Sequence, residues 1–119
     1  MGTQLYNLDV LKATTEEDTE FFVKILTTFL ENNKEMLVKM KTALKSKNFL
    51  EVGNFAHKML SSYKHLEVNL LIDSLTKLEM LSVGHYIEPR EIHEMVAFLD
   101  MHSKDLFEQL TKEIELVKN

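Results

Sequence analysis

An all-α fold follows from three observations on the sequence. Glycine and proline are scarce, at Gly 3 and Pro 1 in 119 residues. Apolar residues recur every three or four positions, the spacing of one helical face. No stretch alternates strictly between apolar and polar residues, as a half-buried strand would. Tight turns and sheet corners lean on Gly and Pro, so few turns and long elements are expected. The length fits one domain spanning residues 1–119. A hydrophobic fraction of 45% is enough to bury a core.

The elements follow in chain order. LYNLDVLK reads as a short helix that packs Leu5, Leu8 and Leu11 on the end of the molecule. TTEEDTEFF then opens the first long helix. Thr14 with Glu17, or Thr15 with Asp18, has the spacing of a capping box. The acidic cluster Glu16, Glu17 and Asp18 suits the positive end of the helix dipole. The stripe Phe22, Ile25, Leu26, Phe29, Leu30, Met36, Leu37, Met40 and Leu44 carries this helix to Ser46-Lys47-Asn48.

A second helix starts near Asn48 and runs past Tyr63, with Phe49, Val52, Ala56, Met59, Tyr63 and Leu66 on its apolar face. A third begins at Val68 or Asn69, turns Leu71, Leu75, Leu78 and Leu81 inward, and stops at Gly84, a natural C-terminal cap. GHYIEPR is a loop. Pro89 stands at the first turn of the last helix, where a missing N–H does no harm. That helix carries Ile92, Met95, Val96, Leu99, Leu106, Leu110, Ile114 and Val117. Short connections make sequential helices antiparallel neighbours. The expected architecture is therefore an up-down antiparallel four-helix bundle with a short extra N-terminal helix. Met and Phe stripes of this kind are core, rather than the lining of a haem or lipid pocket.

Composition narrows the function. A net charge of −5 argues against nucleic acid as a partner, because binding to phosphate backbones shows a basic face. The absence of cysteine removes disulfides, thiol nucleophiles and Cys-based metal sites. The N-terminus lacks the basic and apolar regions of a signal peptide. No apolar run approaches the roughly 18 residues of a membrane span. A soluble, cytoplasmic protein with no membrane partner is expected.

AHKMLSSYKHLE, Ala56 to Glu67, holds two of the five histidines. At about 100° per residue, His57 points about 120° away from the centre of the Val52–Ala56–Met59–Tyr63 stripe. It lies on the flank, outside the core. Leu50, Gly53, Leu60, Ser61 and Lys64 share its direction. Both of its i±4 neighbours, Gly53 and Ser61, are small. A glycine inside a helix costs about 1 kcal/mol relative to alanine, which invites a reason. Gly53 either leaves the imidazole open to a bulky partner or eases close helix packing. Lys64, two turns on, puts a cation within reach of an anion on the ring. Leu50 and Leu60 offer an apolar rim.

An ordered set of matches resembles a known pattern. LVKMKTALKSKNF is followed by AHKMLSS, then YKHLEV, then LTKLE, and YNLDVLKATTEEDTEFFVKILTTFL precedes them. Over Leu5 to Leu81 the chain is similar to histidine-phosphotransfer (HPt) domains of two-component phosphorelays. The resemblance implies that His57 is the phospho-accepting residue. It implies Lys64, Ser61 and Lys58 as supports for the phosphoryl group, and a docking surface of Leu50, Gly53, Asn54 and Leu60 that takes in Ser61 and Lys64. Three departures stand out: Leu60 replaces the family's lysine, Ser61 its next glycine, and Glu67 the glycine before the third helix.

The implied partner is a response-regulator receiver domain, with a hybrid sensor histidine kinase as a further candidate. No metal and no cofactor is expected on this chain; the Mg²⁺ ion belongs to the receiver. The expectation is a phosphocarrier, not an enzyme. The alternative is a degenerate bundle of the same fold that docks partners without phosphotransfer.

Other classes fit less well. Di-iron bundles need Glu-x-x-His pairs, and none occurs here. His57, His65, His85, His93 and His102 lack ligand-like spacing. His65 and His93 read as surface or boundary residues, and His102 as a satisfied core histidine. Glu51, Asp73 and Glu79 have the spacing of solvated helix faces, so no catalytic constellation is expected from them.

Overall fold

The computed structural model describes residues 3–16 and 18–118. They are helical, with no strand among the described residues. The helices are α1 (Asp9–Thr15), α2 (Thr19–Lys45), α3 (Phe49–His65), α4 (Asn69–Glu79) and α5 (Pro89–Lys118), and a 3₁₀ turn, Met80–Val83, extends α4. α2 packs on α3 and α5, α4 packs on the same two, and α1 lies against α2. The four longer helices thus close a ring around one core. Leu26, Met40, Val52, Met59, Tyr63, Leu71, Leu75, Leu99 and Leu106 are fully buried in it. None of these helices is long and apolar enough to cross a membrane.

The start of α2 differs from the sequence expectation. Thr14 and Thr15 belong to α1, and the Thr15 hydroxyl donates to the Leu11 carbonyl at 3.0 Å. Asp18 is the N-cap of α2, its carboxylate accepting from the Phe21 N–H at 3.0 Å. A short acidic side chain directly ahead of the first turn satisfies an orphan donor and faces the positive dipole end. Glu17, the other capping-box residue, lies outside the described residues. Asn48 caps α3 in the same way, accepting from the Glu51 N–H at 3.3 Å.

LYNLDVLK is also only partly helical, since α1 begins at Asp9. The residues before it form a strap pinned by side chains of α5. Gln109 accepts from the Leu5 N–H and donates to the Thr3 carbonyl, and the Tyr6 hydroxyl donates to Glu113 at 2.9 Å. Burial, reinforced by the Glu113 carboxylate, pushes the Tyr6 phenol well up. Leu8 and Leu11 are buried as expected, and Leu5 is half-buried.

α2 and α3 both close by the same device. The Asn48 N–H donates to the Ala43 carbonyl and the Lys47 N–H to that of Leu44. One helix later, Val68 N–H donates to Tyr63 and Glu67 N–H to Lys64. These are Schellman closures, which require a left-handed residue. That residue is Lys47 at φ 58° and Glu67 at φ 53°. Glu67 therefore carries out, under strain of about 1 kcal/mol, a turn that glycine makes freely. Gly84 closes the 3₁₀ turn at φ 87°.

Among the described residues the core holds three polar side chains, all satisfied. The Tyr63 and Ser103 hydroxyls pair at 2.7 Å. Asn33 donates to the Phe29 carbonyl and to Ser62 Oγ, and Thr15 is bonded as above.

Gly53 is buried, and its contacts place the end of α4. A Cβ built there would stand 2.5 Å from the Ser82 nitrogen and 2.9 Å from Leu81 Cβ. Of the two reasons for this glycine, close helix packing is therefore the one the fold uses. Gly53→Ala gains roughly 1 kcal/mol of helix propensity but forces the 3₁₀ turn outward, at roughly 1–3 kcal/mol. Net destabilisation by about 1 kcal/mol is expected in urea unfolding. Stabilisation would show that the turn yields freely.

Candidate functional site

His57 sits at the middle of α3, on the edge that faces α4. Residue pairs across this edge run in opposite directions: Gly53 meets Ser82, and His57 meets Glu79. The helices are antiparallel there, and Glu79, the last residue of α4, arrives opposite the imidazole. The turn holds it: the Ser82 hydroxyl donates to the Glu79 carbonyl at 2.7 Å.

His57 Nδ1 lies 2.7 Å from Glu79 Oε2. An ionised carboxylate only accepts hydrogen bonds. Nδ1 therefore carries the proton and donates it. In the neutral ring the remaining nitrogen, Nε2, keeps its lone pair. The imidazole side chain is 74% exposed and Glu79 27% exposed. The carboxylate thus fixes the tautomer and ring orientation from a half-covered position, and the rest of the ring is open. The arrangement is an exposed imidazole with a built-in orienting group, and its free ring nitrogen has the lone pair that a nucleophile needs. Glu79, set down from spacing as part of a solvated face, is instead this orienting group. The close approach of Gly53 was the available sequence signal, because it brings the end of the next helix against this flank.

The other expected site residues divide. Ser61 and Lys64 are exposed. Lys64 makes no ion pair among the described residues. Seven residues from His57, it shares its direction within about 20° and lies about 10 Å along the axis. An extended Lys64 side chain can thus lean toward a group carried on Nε2, with Ser61 between them. Lys58 is exposed but drawn elsewhere: its ammonium sits 5.5 Å from the centroid of the Phe55 ring, on the α2 side of α3.

The expected docking surface needs correction. Gly53 is covered by Leu81 and Ser82, and Leu60 is 5% exposed within the core. Neither can meet a partner. At Gly53 the turn that follows α4 takes the space an open rim would need. Leu50 is exposed and Asn54 half-buried, as a rim requires. Met80 and Val83, on the turn that follows Glu79, are exposed apolar residues that sequence spacing had not singled out.

The remaining histidines form no site with His57. His65, His85 and His93 are exposed, and His93 Nδ1 donates to the Pro89 carbonyl at 2.8 Å. His102 is half-buried and packs against Phe98, the two rings tilted by 60° with centroids 4.4 Å apart. No group of three or more His, Asp or Glu residues suited to a metal occurs among the described residues.

No family model, no curated protein and no solved structure matches this chain.

Removing the carboxylate should release the ring. In Glu79→Ala, nitrogen-15 NMR of His57 should show the neutral ring moving from the Nδ1–H form toward the Nε2–H form. An unchanged tautomer would mean that Glu79 does not orient the ring.

Proposed function

We propose that this chain is a phosphocarrier of the histidine-phosphotransfer type, taking a phosphoryl group on His57 from an aspartyl phosphate of a receiver domain and returning it. The observation that carries this proposal is the His57–Glu79 hydrogen bond, which leaves an exposed ring nitrogen with a free lone pair. The ring of helices is taken here as the up-down antiparallel bundle that short connections favour. A cytoplasmic setting, shared with receiver domains, is part of the same proposal.

The Nε2 lone pair attacks phosphorus and forms an N–P bond. The bond from phosphorus to the aspartyl oxygen breaks, and the aspartate leaves as a carboxylate. No proton needs to be removed from Nε2, so no separate base is required. Positive charge gathers on the ring in the transition state, and the Glu79 carboxylate lies on Nδ1–H, where it stabilises that charge. The receiver supplies the Mg²⁺ ion and the cations that hold the transferring phosphoryl oxygens. Once transferred, the group brings roughly two negative charges close to Ser61 and toward Lys64. Docking uses the exposed apolar residues beside the dyad: Leu50, Met80 and Val83.

One observation favours a second function, docking without transfer. Where the family places a lysine, Leu60 is buried, and Lys58 is drawn to Phe55. Lys64 is then the cation left on this face to meet the phosphate.

The test is transfer from labelled, phosphorylated receiver domains. The parent chain should acquire label that is stable to base and labile to acid, and His57→Gln should acquire none. Lys64→Ala should slow transfer several-fold while leaving the label on His57. Equal labelling of His57→Gln would refute phosphotransfer at this residue. Receiver binding without label on the parent would establish the docking module.

A further inference from the structure

Across the ring of helices, opposite the α3–α4 edge that bears His57, α2 packs on α5. Two adjoining hollows of about 560 and 390 Å³ run along it. Val38, Lys41 and Asp100 line both, so they form one groove crossed by a bridge. The bridge is the Lys41–Asp100 ion pair at 3.2 Å. Val38 stands 63% exposed on the groove wall, an apolar side chain with nothing over it.

The charges in this groove run against those of the chain. Lys34, Lys41, Lys45 and Lys104 line it, against Asp100 and Glu108. Asp100 already answers both Lys41 and Lys104, and Glu108 lies 4.0 Å from Lys112. Lys34 and Lys45 have no ion-pair partner among the described residues. The groove is therefore positive on a molecule of net charge −5. Nucleic acid is a poor occupant, because the rest of the molecule repels it and phosphates gain nothing from apolar walls.

We propose that the α2–α5 groove docks an acidic amphipathic helix of a partner protein, at a site separate from His57. Helix-in-groove recognition sets an apolar stripe between two helices and leaves flanking side chains to the rims. Val38 and the adjoining apolar walls take the stripe. Lys34 and Lys45, the two without an ion-pair partner among the described residues, stand seven and four residues from the paired Lys41 on α2, about 16 Å from end to end. Acidic residues repeating every four or seven positions on the incoming helix match them. Because the two edges are opposite, this partner and the His57 partner can be held together.

The probe is a synthetic helical peptide of roughly 16 residues, the length of the α2 rim plus about one turn. It carries leucines on one face and glutamates flanking them; a scrambled peptide of equal composition is the control. The intact chain should bind the ordered peptide and shift the amide resonances of α2 and α5, leaving those around His57 in place. The double variant Lys34→Glu, Lys45→Glu should weaken binding at least tenfold, and a lysine-flanked version of the peptide should recover it. His57→Gln should bind like the parent. No binding, equal binding of the scrambled peptide, or indifference to the charge reversal would overturn the proposal. So would capture of the chain by phosphatidylglycerol vesicles through the same lysines when the peptide fails, which would assign the groove to a membrane surface.

Discussion

The backbone of Ser82 lies against Gly53 with no room for a side chain between them, and the position of Glu79 follows from that contact. α4 ends at Glu79, and the 3₁₀ turn after it crosses the flank of α3 one helical turn before His57. Any larger residue at position 53 would push the turn outward and carry the carboxylate with it. Leu81 and Leu78 anchor the same stretch in the core. The dyad is thus set by helix packing rather than by a flexible loop, which is what holds a small hydrogen-bonded unit in a fixed geometry. An exposed imidazole would otherwise sample several rotamers and both tautomers.

Packing of this kind divides the labour on α3. Val52, Ala56, Met59, Leu60 and Tyr63 are given to the core, Gly53 to the contact with the 3₁₀ turn, and His57, Ser61 and Lys64 to solvent. The two sides of the molecule also differ in charge. Beside His57 the orienting group is an acid, and the nearest free cation stands two turns away. In the groove between α2 and α5, four lysines stand against two acids. A chain of net negative charge that gathers cations in one apolar groove has a directional surface, because opposite potentials steer different partners to different faces.

Much of this was legible in the sequence, because helical periodicity records which residues face the core. The stripes of α2, α3, α4 and α5 are buried or half-buried where spacing placed them, and Gly84 and Pro89 mark the helix ends expected of them. The flank position of His57 followed from the same rotation per residue. The misses were tertiary or local. Asp18, not a threonine, caps α2, because two adjacent helix termini compete for the same polar residues. Leu60 and Gly53 lie on the same side as His57 by wheel angle, yet a neighbouring helix covers one part of that side and leaves the other open. Glu79 could not be assigned without the register between α3 and α4, which no single helix encodes. Glu67 looks like a departure in sequence but keeps the left-handed turn that glycine would make.

Glu79 holds the proton on Nδ1 and leaves the lone pair of Nε2 open to solvent. The most direct measurement is the regiochemistry of phosphorylated His57, read by phosphorus- and nitrogen-resolved NMR on the intact chain after transfer from a phosphorylated receiver. With His57 as the proposed acceptor, the expected result is a phosphoryl group on Nε2, with Nδ1–H still bonded to the carboxylate. A phosphoryl group on Nδ1, or a chain that acquires none from any receiver, would contradict it.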